Sequence, residues 1–114
     1  MSDVRIKSGE QPRYFAFGSV LSTASIANST PVYKESPYSS FQAIVTAAGS
    51  ATVLIQVTNE DATFVGTNSN WVTMGTITLT SVLLTDGFTT IAPWRYVRAS
   101  VTAVSGTVQI IMGV

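Results

Sequence analysis

At 114 residues, with Lys+Arg and Asp+Glu both at 6, the chain is one small domain with no net charge. That balance disfavours nucleic acid, whose phosphates are met by a basic excess; the absence of Cys and His removes disulfide staples, thiol and zinc-thiolate chemistry, and the commonest general base. No apolar run approaches the about 18 residues of a membrane span, and residues 1–13 lack the apolar core of a signal peptide, so synthesis in the cytoplasm without export is expected.

Residues 1–17 read as an extended arm. Val4 and Ile6 alternate with Arg5 and Lys7, enough for one short edge strand, before the break at 8–12. Arg13, Tyr14, Phe15 and Phe17 follow, so basic and aromatic side chains sit close together in a segment suited to docking on a partner. The other reading of such a terminus is a mobile tail.

The remaining chain, 18–114, is organised by a period of two. Residues 18–27 alternate through Val20, Ser22, Ala24 and Ile26 as a first strand, and Asn28 to Pro31 reads as a turn, Pro31 marking an edge. Val32 and Tyr33 make a short strand before Ser36-Pro37. Residues 40–48 place Phe41, Ala43, Val45 and Ala47 on one face. A tight turn at Gly49-Ser50 leads to 51–59, where Val53, Ile55 and Val57 face in, and the pair reads as a hairpin. A loop over 59–70 follows, then a β-branched strand from Trp71 to about Thr80. Asp86-Gly87 has the composition of a turn. Phe88 to Ile91 is short. The end of the chain reads as two long strands joined at Ser105-Gly106, with Val97, Ala99, Val101 and Ala103 buried on one and Val108, Ile110 and Met112 on the other.

No segment carries a helical period. About eight short strands separated by turn signals predict an all-β, antiparallel two-sheet sandwich, jelly-roll in topology, with an immunoglobulin-like strand order as the alternative. Its core is predicted to hold Val53, Ile55, Val57, Ile77, Leu79, Val97, Val101, Val108 and Ile110.

Charged residues are 11% of the chain, against about 25% in ordinary soluble domains. Either neighbours cover much of the surface or Ser, Thr and Asn solvate it. Reactive constellations are sparse. Glu60 and Asp61 are adjacent in a loop, which suits a solvated tip better than an acid–base pair. Serine chemistry lacks a base, and Lys34, the one lysine outside the arm, does not by itself make a dyad. The chain therefore reads as non-enzymatic. Asn59, Glu60, Asp61, Asn68, Asn70 and Asp86 carry oxygen ligands of the kind calcium takes, without the ordered alternation of a known loop, so no metal or other cofactor is assigned. Trp71, Trp94 and Tyr96 fall near strand ends, where they either close the core or present flat platforms to a sugar.

Two stretches carry a resemblance. IQVTNEDATFVGTNSNWVTMGTITLT (55–80) and DGFTTIAPWRYVRASVT (86–102) resemble text found in tailed-phage virion structural proteins with a discoidin-like or carbohydrate-module-like jelly roll. Arm plus single sandwich is most similar to a head decoration (cement) protein. The resemblance implies a mechanical role on the capsid surface: binding the major capsid protein across subunit joins, as a homodimer or homotrimer, with no nucleic acid or membrane as partner. The expected contacts are Val4, Arg5, Ile6, Lys7, Arg13, Tyr14, Phe15 and Phe17 of the arm, and Tyr33 at the edge. The alternative is a virion carbohydrate-binding module, on the head or in a tail adhesin, engaging host glycans through Trp71, Trp94 and Tyr96.

Overall fold

The computed structural model describes residues 17–34, 36–60 and 70–113. They form nine strands: β1 (Phe17–Thr23), β2 (Ala27–Asn28), β3 (Val32–Tyr33), β4 (Tyr38–Val45), β5 (Ser50–Thr58), β6 (Val72–Leu79), β7 (Thr85–Ile91), β8 (Tyr96–Ser105) and β9 (Val108–Gly113). There is no helix among the described residues. One sheet has the order β1-β9-β4-β7; the other has the order β2-β8-β5-β6, with β3 also on β8. Every pairing is antiparallel.

The two sheets pack face to face on the predicted core. All nine residues expected there are at most 2% exposed. Phe41 and Met112 join them, and the Phe41 ring leans on Phe88 with centroids 5.3 Å apart. Alternation produces this because successive strand residues face opposite sides, so one apolar set per strand faces the facing sheet.

Pairing departs from the sequence reading. The segments 40–48 and 51–59 do not form a hairpin, nor do the last two strands: β4 and β9 lie in one sheet, β5 and β8 in the other. Both connections are arches that cross between sheets. Among the described strands, β5 and β6 are the one consecutive pair bonded to each other. A short turn and a period of two are common to hairpins and arches, so neither distinguishes them.

The two arches stack at one end of the sandwich. Thr46 N–H donates to the Thr107 carbonyl at 3.0 Å, and Thr107 N–H donates to Thr46 Oγ1 at 3.1 Å. Gly49 is buried here because a Cβ would run into the Thr46 and Ser105 carbonyl oxygens. Gly106 turns the second arch at φ 84°, a conformation that disfavours side chains. At the opposite end lie Lys34, Asn59, Glu60, Asn70, Trp71 and residues 92–95.

Four other expectations are corrected. The strand over 18–27 ends at Thr23, and Ile26 stands 71% exposed on a bend. Asn28 to Pro31 does not turn the chain back: Ser29 N–H donates to the Ala99 carbonyl and Ala99 N–H donates to Ser29 Oγ, both at 2.8 Å, so the segment keeps running along β8 between β2 and β3. Asp86-Gly87 is not a turn but lies within β7, opposite Ala43 and Gln42, where the absence of a Cβ lets the Phe41 carbonyl approach Gly87. Ala47 and Ala103 are exposed. Ala47 lies past the end of β4, and the register of β8 against β5 slips at Thr102, so Val104 takes the half-buried position.

Candidate functional site

Among the described residues, the end of the sandwich opposite the arches collects the cationic side chains Lys34, Arg95 and Arg98 together with Tyr33, Trp71, Trp94 and Tyr96. Strand register puts them there. Tyr33 pairs with Tyr96, Tyr96 with Thr58, and Arg98 with Gln56, so Tyr33, Tyr96, Arg98 and Gln56 all project from the solvent face of the β8 sheet while Val97 and Ala99 point inward. Tyr33 and Tyr96 meet edge-to-face with centroids 5.5 Å apart. Arg98 donates from Nε to Gln56 Oε1 at 2.9 Å and lays its guanidinium 4.4 Å from the Trp71 ring centroid. Burial pushes the Arg98 pKa down from its ordinary value, but an arginine keeps its charge at neutral pH. The result is a braced aromatic row, with Tyr33 58% exposed at its edge.

Beside that row an open cleft of about 370 Å³ is lined by Tyr33, Lys34, Ser36, Pro37, Asn59, Pro93, Trp94 and Arg95. Backbone bonds knit its walls: Lys34 N–H donates to the Arg95 carbonyl at 2.8 Å, and Arg95 N–H donates to Asn59 Oδ1 at 2.9 Å. Trp94 is half-buried and packs on the core. Lys34 is 6% exposed, and its ammonium donates to Ser39 Oγ; burial lowers its pKa from the ordinary 10.5. A hydrogen-bonded serine and buried lysine are the parts of a nucleophilic dyad. Ser39, however, is 5% exposed, shares the inward face of β4 with Phe41 and is not among the residues that line the cleft.

The sugar candidates Trp71, Trp94 and Tyr96 therefore fall at one end, Trp71 and Tyr96 on the sheet's outer face and Trp94 in the cleft wall. Tyr33, expected as a partner contact, joins them. The expected arm contacts Val4, Arg5, Ile6, Lys7, Arg13, Tyr14 and Phe15 lie outside the described residues; Phe17 begins β1, opposite Gly113. The calcium candidates are divided. Asn59 caps Arg95, Glu60 accepts from Asn70 N–H across the neck of the 59–71 connection, and Asp86 sits near the other end of the sandwich. Asp61 and Asn68 are outside the described residues. Among the described residues no three His, Cys, Asp or Glu gather as a metal site.

Sequence reasoning did not single out Ser39 or Gln56 as members of this site, and weighed Lys34 only for a dyad. Lys34 had one visible signal: a lysine immediately after a two-residue strand and shortly before Pro37. No protein-family profile, curated protein or solved structure matches the chain.

Proposed function

We propose that this chain is a non-enzymatic attachment module, a jelly roll acting as a head decoration (cement) protein on a tailed-phage capsid. What supports the jelly-roll reading is the strand order, β1-β9-β4-β7 facing β2-β8-β5-β6, the order two interlocked Greek keys would give if β2 and β3 count as halves of one edge strand. The observation that supports the attachment role is sparse charge, 11% of the chain, with large apolar side chains left exposed at separate places: Val82 at 93%, Ile91 at 73% and Ile26 at 71%. Each gains free energy where a partner covers it. In this reading the major capsid protein is that partner, the chain binds as a homodimer or homotrimer across subunit joins, and the arm makes part of the contact. Removing residues 1–16, which leaves β1 whole, abolishes binding to undecorated capsids while thermal unfolding stays cooperative. Undiminished capsid binding by the truncated chain overturns the arm's role.

The row of Tyr33, Tyr96 and Trp71 with Arg98 favours a second reading, a virion carbohydrate-binding module. Aromatic faces stack on the C–H faces of pyranoses, and Arg98 and Gln56 supply polar groups beside them. Trp71→Ala then abolishes glycan binding and leaves capsid attachment alone; a glycan array unaffected by the substitution overturns this reading.

A further inference from the structure

We propose that the cleft between Lys34, Asn59, Trp94 and Arg95 binds the carboxylate of an acidic sugar, with the pyranose ring held against the aromatic side chains. This deepens the second reading and rests on it. The first ground is size: about 370 Å³ falls at the lower end of small-ligand sites and suits one or two sugar rings. The second is charge. Two basic residues, Lys34 and Arg95, line one cleft in a chain that has only 6 of them, and an anion entering it meets both. The third is rigidity. Lys34 and Arg95 are tied through the Lys34 N–H to Arg95 carbonyl bond, and Asn59 is fixed on Arg95 N–H, so the cationic groups start from a braced backbone. Asn59 Oδ1 faces the Arg95 backbone, which turns its amide nitrogen away from it.

Lys34 gives the cleft its selectivity. The residue is 6% exposed overall, and Ser39 accepts one of the hydrogen bonds of its ammonium. Desolvating a cation is costly, and a carboxylate brought beside it offsets that cost. A neutral sugar of the same shape offers no such compensation. Trp94 and Tyr33 supply what a bare anion cannot use, an apolar wall for the ring's C–H face. Both parts are needed, so the site discriminates against glucose on one side and acetate on the other.

The test is a titration of the full chain, followed by NMR or calorimetry, with glucuronate, glucose and acetate. Glucuronate is expected to bind at least about tenfold more tightly than either, the ratio a charge-assisted pair supplies. Arg95→Gln and Lys34→Met are each expected to reduce glucuronate affinity by about tenfold or more, with cooperative unfolding checked for both; Arg95, being exposed, keeps the test decisive where Lys34→Met fails to fold. Equal affinity for glucuronate and glucose overturns the carboxylate assignment, and equal affinity for glucuronate and acetate overturns the aromatic wall. Binding of neutral glycans that Trp71→Ala abolishes, with no response to glucuronate, removes this inference and leaves the second reading standing. Binding of no sugar at all removes both.

Discussion

Gly49→Ala probes the least expected feature of the fold, the stacking of two arches. The new Cβ would lie 2.8 Å from the Thr46 carbonyl oxygen and 2.9 Å from Val45 Cγ2, and against the Ser105 carbonyl oxygen of the second arch. Two of these neighbours are backbone oxygens, which have no rotamer to escape into. Gly49 also donates its N–H to the Thr46 carbonyl at 2.9 Å, so the segment cannot withdraw without losing that bond. Overpacking costs about 1–3 kcal/mol and the hydrogen bond about 1 kcal/mol, together about 2–4 kcal/mol out of a stability of about 5–15 kcal/mol. For a domain of this size that lowers Tm by about 8–16 °C, at about 4 °C per kcal/mol. Urea unfolding followed by tryptophan fluorescence, with Tm from circular dichroism, reads it. The neighbouring Ala48→Gly is the control. Ala48 sits at φ 63°, so glycine relieves about 1–2 kcal/mol of left-handed strain against an entropy cost of about 0.5–1 kcal/mol, leaving stability unchanged or slightly raised. A Gly49→Ala protein within about 0.5 kcal/mol of the parent refutes the stacked arches.

Ile55→Ala removes a side chain that is fully buried between the sheets and should cost about 2–5 kcal/mol, with an unchanged urea m-value. Lys34 predicts an alkaline signature. Burial lowers its pKa from 10.5, so between the folded value and 10.5 the unfolded chain holds the proton that the folded chain has lost, and stability rises with pH across that window. Below the folded value both states are protonated and the burial penalty is constant. Lys34→Met removes this slope, so its stability relative to the parent falls as pH climbs toward 10.5; parallel curves contradict the burial of the ammonium. Trp71→Ala forfeits its cation–π contact with Arg98, about 0.5–1 kcal/mol, while Arg98 keeps Gln56, so a loss of glycan binding in that variant is not a loss of fold.

Faces were legible in the sequence and partners were not. The alternation of Val53, Ile55 and Val57, or of Val108, Ile110 and Met112, states which side of a strand is apolar, and those side chains are buried as expected. It says nothing about which strand lies alongside. The hydrogen bonds that decide this join residues far apart, such as Phe17 to Gly113 and Ser50 to Ser105. Local chemistry also loses to packing in places. Asp86-Gly87 has a turn's composition, yet the close approach of Phe41 makes glycine a strand residue there. A bulge at Thr102 reverses the phase of β8, and no residue type announces it. For the site, the aromatic members were visible because Trp and Tyr are rare and conspicuous. Lys34 was hidden because its role follows from burial beside Ser39, which only the crossing from β3 to β4 creates.

The proposed attachment is tested most directly by mass from light scattering, for the chain alone and mixed with undecorated phage capsids. A homodimer or homotrimer that saturates capsids at a fixed ratio and raises their resistance to heat is expected. A monomer that leaves capsid mass unchanged contradicts it.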